Sequence, residues 1–198
     1  MVVVQPRPAE RILSVALHAF ATYGYEGVSV RTLNRELAPY HLSVQRYRSK
    51  ERLWRAAVDY GFRDLDQHLA AAFEPALADP LEQLRGWIRR SVRFWAGHPE
   101  LLSLVSFEAR RETERLAYLY DGYLAPALGP VGTLLEALVA AGRIRPIALS
   151  TFHAIVVHGA AGPPALGALS ARLDPGSAPD LDQHAEHVAA MVMAGLRR

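Results

Sequence analysis

The chain has no cysteine and a single lysine, Lys50, among its 198 residues. The lack of cysteine excludes disulfides, a thiolate nucleophile, iron–sulfur clusters and zinc sites with cysteine ligands, and it is typical of the reducing cytoplasm. No two glycines are separated by one residue, and Lys50 follows a serine, so both a dinucleotide-binding fingerprint and a Walker A loop are excluded. No serine stands in a Gly-x-Ser-x-Gly elbow. These absences exclude common nucleotide-binding loops and a hydrolase elbow, and we expect a cytoplasmic protein with no enzymatic activity and no cofactor.

One charge-free stretch, residues 146–171, is long enough to cross a bilayer. Its prolines and histidines are costly in lipid but ordinary in a helix that packs against protein. The N-terminus also lacks the charged region and the apolar run of a signal peptide. We therefore expect this stretch to be buried in protein, and we expect no membrane partner.

Positive charge is concentrated in one part of a nearly neutral chain. The net charge is only +2, yet residues 31–55 contain seven basic and two acidic residues. A solvated helix face would mix the two signs more evenly. A local basic patch of this kind indicates a polyanionic partner, with nucleic acid as the first candidate.

Apolar residues at steps of three and four predict a first helix over residues 9–23, followed by Gly24 as its terminating residue. Ser29 is a predicted N-cap for a short second helix over residues 30–37. Pro39 interrupts this helix, because proline cannot donate a backbone amide and restricts the residue before it.

A third short helix is predicted over residues 41–47. Ser49 is then the predicted cap of a long fourth helix that runs from Lys50 to about Phe73. Two short helices around a tight turn, with the positive charge on them and on the start of the next helix, are typical of a helix-turn-helix unit.

The rest of the sequence shows helical periodicity and turn signals but no strand alternation, so the predicted fold class is all-α. Asp79-Pro80 and His98-Pro99 each indicate a helix start. A segment over residues 113–141 is expected to kink or break near Pro126 and Pro130. Further helices are predicted over residues 148–170 and from Asp180 to the C-terminus.

Three segments resemble the DNA-binding domain of the TetR (tetracycline-repressor-like) transcriptional regulators: Ile12–Phe20, Tyr23–Arg31 and Ser49–Leu53. The resemblance implies a helix-turn-helix domain over residues 1–62 and a ligand-binding and dimerisation domain, a helical bundle, over residues 63–198. It further implies a homodimeric repressor that binds a pseudo-palindromic operator in double-stranded DNA and responds to a small-molecule effector. The fourth helix would act as the rigid lever between effector and DNA.

The resemblance also implies roles for single residues. Ser29 and Lys50 match positions that hold phosphate, Arg31 matches a position that reaches a base, and Tyr47 matches the aromatic residue closing the third helix. Hydrogen-bonding side chains on that helix complete the DNA-binding set: His41, Ser43, Gln45 and Arg46. The sequence departs from the family at Ala38-Pro39-Tyr40, and its stretch from Leu37 to Ser49 is one residue shorter.

Aromatic residues are concentrated between residues 81 and 125, where they predict either a ligand pocket or ordinary core. The ligand-binding candidates are Trp87, Trp95, Phe107 and Tyr118, with Glu108 and Arg111 as polar groups. The predicted dimer interface combines small residues with an apolar stripe on the last helix: Gly159, Gly162, Leu181, Ala185, Val188, Met191 and Val192.

Two other classes of protein stay open at this point. His184 and His187 have a helical i, i+3 spacing, which would suit a helical-bundle metal-binding protein or enzyme. The basic helices could also bind an acidic protein instead of DNA.

Overall fold

The computed structural model describes residues 7–73, 79–159, 167–173, 175–176 and 180–197. They form two compact units: Met1–Asp64 with Glu100–Leu119, and Leu65–Pro99 with Tyr120–Arg198. All regular structure in the described residues is helical, which confirms the all-α class. The predicted division between residues 62 and 63 stays a prediction, and the first unit also takes in residues 100–119.

Eleven α-helices occur in the described ranges, numbered here in chain order: α1 (Pro8–Gly27), α2 (Val30–Leu37), α3 (Lys50–Phe62), α4 (Leu65–Ala70), α5 (Pro80–Gly97), α6 (Pro99–Glu108), α7 (Glu114–Leu119), α8 (Ala125–Ala140), α9 (Leu149–His153), α10 (Gly167–Leu173) and α11 (Leu181–Leu196). Short 3₁₀ turns cover Ala38–Tyr40, Val44–Tyr47 and Ala71–Phe73. Two π-helical segments cover Tyr120–Leu124 and Ala154–Gly159.

The first unit is built on the packing of α1 against α3. α1 buries Ile12, Ala16 and Phe20 at helical spacing, and α3 buries Leu53 and Trp54. The regular helix is kinked at Gly24, whose φ of 68° is open to glycine at low cost. The predicted end of the helix at this residue is thus an interruption, and α1 continues to Gly27.

The prediction of one continuous fourth helix is wrong. α3 ends at Phe62, residues 63 and 64 form a turn, and α4 begins at Leu65. The chain passes there from the core of one unit to the core of the other. Apolar spacing could not reveal the break, because Ala57, Leu65 and Leu69 stay in phase across it. A single rigid lever from Lys50 to Phe73 is therefore absent.

In the second unit, α5 is the central helix and α11 packs along it. α11 buries Ala185 and Ala189 completely, and these small side chains allow close approach of the two helices. Ion pairs flank the contact: Arg89 Nη1 lies 2.8 Å from Glu186 Oε2, and Arg93 Nε lies 2.6 Å from Asp182 Oδ1. The contact therefore combines apolar packing with charge pairs along its edge.

The irregularity expected near Pro126 takes the form of the π-helical segment that directly precedes α8. The ring of Pro126 would collide with the carbonyl of Gly122 in an ideal α-helix, and Gly122 lies inside the π-helical segment. Pro130 is accommodated within α8 itself.

One continuous helical run, Glu114–Ala140, is long and apolar enough to span a membrane by length and composition. Its α8 part buries Ala127, Val131, Leu135 and Leu138, which lie on one helix face. Packing within the second unit accounts for that apolar face. The described part of the stretch over residues 146–171 is buried only in part, since Phe152, Val156 and Val157 are covered whereas Ile155 is 47% exposed.

Candidate nucleic-acid interface

Serine side chains cap three of the elements that follow α1: α2, the Val44–Tyr47 turn and α3. Ser29 Oγ accepts a hydrogen bond from the Thr32 amide at 3.0 Å, and Ser49 Oγ accepts one from the Arg52 amide at 3.1 Å. Both predicted N-caps are thus confirmed. Ser43 Oγ accepts from the Gln45 amide at 3.3 Å in the same way. These local bonds fix where α2, the Val44–Tyr47 turn and α3 begin.

The predicted third helix over residues 41–47 is wrong in both length and type. Its regular part is the 3₁₀ turn Val44–Tyr47, and His41 stands outside it with a left-handed φ of 55°. The reason lies upstream, where Ala38–Tyr40 continues α2 as a 3₁₀ turn that ends at His41. The base-reading candidates Gln45 and Arg46 are exposed on the Val44–Tyr47 turn.

Asn34 braces the helix-turn-helix unit, and sequence reasoning missed it. Its Oδ1 accepts hydrogen bonds from the Val44 amide at 3.0 Å and from Ser43 Oγ at 3.1 Å. The side chain therefore ties the middle of α2 to the start of the Val44–Tyr47 turn, ten residues further on. An asparagine within a short helix carries no sequence signal for such a contact.

The basic patch predicted from the sequence is displayed on the surface. We use the name basic cluster for six of its members: Arg31, Arg35, Arg46, Arg48, Lys50 and Arg52. All are exposed except the half-buried Lys50. In the part of the chain that the structure describes, none of the six forms an ion pair, whereas Arg55 is held by Glu51 at 2.9 Å. The cluster thus presents positive charge that no carboxylate among the described residues neutralises.

Tyr25, also missed from the sequence, lies under the one lysine. Lys50 Nζ is 4.2 Å from the centre of the Tyr25 ring, and the guanidinium carbon of Arg115 is 4.0 Å from the same centre. Partial burial, followed by the neighbouring Glu51 carboxylate, raises the pKa of Tyr25 above its ordinary value. The ring therefore stays neutral at physiological pH and holds the lysine side chain through a cation–π contact.

Arg115 is anchored in turn by Glu108 of α6. Its Nε donates to both carboxylate oxygens of Glu108 at 3.1 Å, and Glu108 is only 6% exposed. Burial raises the pKa of Glu108, although the adjacent Arg115 acts in the opposite direction. Tyr118 belongs to the same unit and donates its hydroxyl to Asp59 Oδ1 at 2.6 Å.

The ligand-binding candidates are divided between the two units. Trp87 and Trp95 are almost fully buried in the second unit, and the cavity beside them measures only about 10 Å³. The other four candidates lie in the first unit, where Phe107, Glu108 and Arg111 line a pocket of about 220 Å³.

The dimer-interface candidates that the structure describes do not share one surface of the second unit. Gly159, Val188, Met191 and Val192 line an apolar groove of about 590 Å³. Met191 is 74% exposed, whereas Ala185 is fully buried against its own unit and belongs to the core instead of a surface. The predicted stripe also included Leu181, which is half-buried. Gly162 lies outside the described residues.

His184 lines that groove and His187 is exposed on α11. Over the ranges described above, no group of three or more His, Asp or Glu side chains is arranged to hold a metal ion. The residues present therefore give no support to a metal centre.

Comparison with known proteins gives matches in structure alone. Neither protein-family models nor curated proteins match the sequence. The ketosteroid transcriptional regulator KstR2 of Mycobacterium tuberculosis is similar with a TM-score of 0.73, 17% identity, and coverage of 98% of this chain and 97% of that one. HlyIIR, a hemolysin II transcriptional regulator, gives 0.69 at 18% identity, with 96% and 97% covered. A tetR-family regulatory protein from Rhodococcus RHA1 gives 0.66 at 18% identity, with 98% of each chain covered.

Proposed function

We propose that this chain, which has the fold of the solved TetR-family regulators, is a sequence-specific DNA-binding transcriptional regulator. The observation that carries the proposal is the basic cluster: exposed cations on a braced helix-turn-helix unit, with no carboxylate partner among the described residues. Unpaired surface cations of this kind attract a polyanion, and the exposed turn offers side chains to base edges.

Within this proposal, the side chains divide into two groups. Ser29 and Lys50, at the starts of α2 and α3, contact phosphate, and the free amides of those helix starts add to the attraction. Arg31, Gln45 and Arg46 read base edges. His41 and Ser43 precede the Val44–Tyr47 turn and Tyr47 is its last residue, and these three side chains position the turn on the duplex.

The test begins with selection of bound sequences from a random DNA pool, followed by titration at several salt concentrations. We expect log affinity to fall with log salt at a slope of about −0.9 per phosphate neutralised. Lys50→Ala should weaken binding to all sequences and reduce that slope by about 1, whereas Gln45→Ala should relax preference at particular base pairs by about 1–3 kcal/mol. Arg172→Ala, an exposed arginine of α10, is the control. A flat salt profile would contradict DNA binding.

We also propose that the regulator acts as a homodimer through the outward face of α11. Support comes from the apolar groove beside that helix and from the exposed Met191, since an uncovered apolar groove can be covered by the same surface of a second copy. Val188→Asp should give monomers in sedimentation velocity and abolish operator binding, whereas His187→Asp, on an exposed position of the same helix, should not. Unchanged sedimentation of the Val188 variant would refute this interface.

The remaining parts of the proposal are repression, control by a small-molecule effector, and action in the cytoplasm on chromosomal DNA. An effector needs a differential affinity of about 1–3 kcal/mol between DNA-competent and incompetent forms to change operator binding by roughly 5- to 150-fold. A thermal-shift screen of apolar and aromatic metabolites, followed by operator titration with each hit, tests this part. Tight binders that leave operator affinity unchanged would contradict it.

A further inference from the structure

The pocket lined by Phe107, Glu108 and Arg111 lies in the first unit, between the end of α1 and the α6–α7 connection. We call it the α6–α7 pocket; its volume is about 220 Å³, equal to about seven water molecules. This is less than the ~300–1,000 Å³ of typical drug-sized sites. The pocket can therefore hold a ligand of one or two small rings.

Two aromatic rings with unusual exposure line this pocket. Tyr23 is 60% exposed and Phe107 is 38% exposed. Gly24, at φ 68°, brings its backbone against Phe107: a Cβ there would lie 3.3 Å from the ring carbon Cδ1. A flat aromatic ligand that covers these exposed rings would be stabilised by burial of apolar area. Contacts between aromatic rings would add to that binding free energy.

The charged groups that line the pocket leave it positive. Arg115 forms an ion pair with Glu108, and Glu26 Oε1 lies 3.8 Å from Arg115 Nη2. The guanidinium groups of Arg110 and Arg111 remain, both on exposed residues, and that of Arg110 lies 5.4 Å from the centre of the Phe107 ring. The lining thus combines an aromatic surface with cations that outnumber its carboxylates.

We propose that the α6–α7 pocket binds a small aromatic carboxylate, with its ring against Tyr23 and Phe107 and its carboxylate on Arg110 and Arg111. Guanidinium groups match a carboxylate through paired hydrogen bonds, and the aromatic walls select a flat ring. The proposal goes beyond DNA binding and does not depend on it, because the pocket uses none of the DNA-contact residues.

The experiment is calorimetric titration of the full chain with three probes: benzoate, benzyl alcohol and cyclohexanecarboxylate. We expect benzoate to bind, benzyl alcohol to bind about tenfold more weakly for lack of charge, and cyclohexanecarboxylate to bind severalfold more weakly for lack of an aromatic face. No detectable binding of benzoate at up to about 10 mM, or equal affinity for all three probes, would overturn the assignment.

Variants locate the site. The double variant Arg110→Ala, Arg111→Ala should lose at least about tenfold in benzoate affinity. Arg63→Ala is the matched control, because that arginine is also exposed and also lies over a ring, 4.6 Å from the centre of Tyr60. Equal loss in both variants, or no loss in either, contradicts the site. Benzoate binding without DNA binding would refute the proposed function alone, and the reverse result would refute this pocket alone.

Discussion

Removal of the Asn34 side chain is expected to loosen the helix-turn-helix unit, and it deletes none of the side chains predicted to contact DNA. In Asn34→Ala the amide of Val44, a residue only 4% exposed, loses its acceptor, whereas the exposed Ser43 hydroxyl can turn to water. An unsatisfied buried donor costs about 1–3 kcal/mol. For a chain of this length, each kcal/mol corresponds to about 2–4 °C in the midpoint of thermal unfolding.

The assay is urea unfolding followed by circular dichroism, paired with operator titration. Asn34→Asp keeps an acceptor oxygen for both bonds, and the helix propensities of the two residues are similar, so stability should stay within about 0.5 kcal/mol of the original. Its added negative charge should still weaken operator binding. Glu36→Ala, an exposed change on the same helix, sets the baseline. If Asn34→Ala unfolds at the same urea concentration as Glu36→Ala, the bracing argument is refuted.

Three further predictions concern single side chains in the two units. Tyr25→Leu should lower operator affinity by about two- to fivefold, and adding Lys50→Ala to that variant should cause almost no further loss of affinity. Tyr25→Phe should leave both operator affinity and the effect of Lys50→Ala unchanged. If the losses from Tyr25→Leu and Lys50→Ala are additive, the cation–π contact is contradicted. Burial lowers the pKa of His68 and His153. The free energy of unfolding should therefore be unaffected by these two groups above about pH 6.5, and it should decrease as the pH falls from there toward their lowered pKa values in the folded state. Replacing both histidines by glutamine should flatten that fall in thermal unfolding; an unchanged profile would exclude them as its cause. Ala189→Leu should destabilise the α5–α11 contact by about 1–3 kcal/mol, and unchanged stability would show that the helices can move apart.

Local chemistry explains the parts of the fold that the sequence could predict. Four side chains accept a hydrogen bond from a backbone amide within three residues: Ser29, Ser49, Asp79 and Asp180. The start of the following helix is therefore determined by residues that are close in sequence. The resemblance to TetR regulators likewise rests on short segments within the first unit, and the structural comparison supports the same fold over nearly the whole chain.

Non-local contacts explain the parts that it could not. The turn at residues 63 and 64 keeps the apolar period in phase, and Asn34 reaches a residue ten positions away. Arg115 contacts the ring of Tyr25, which lies ninety positions earlier in the sequence. Composition assigned Phe107 to the same pocket as Trp87, whereas packing places them in separate units. Each of these features depends on which surfaces meet in three dimensions, and no local pattern encodes that.

The position of Lys50 over the Tyr25 ring makes this chain convenient for magnetic resonance. Because Lys50 is the only lysine, reductive methylation with ¹³C-formaldehyde would label its amine and the N-terminal amine and no other side chain. With Nζ 4.2 Å from the ring centre, the methyl signal is expected upfield through the ring current. A phosphate that binds the amine would change its position over the ring and shift that signal. One resonance would thus report, in solution and without a fluorophore, how much of the protein is engaged with DNA.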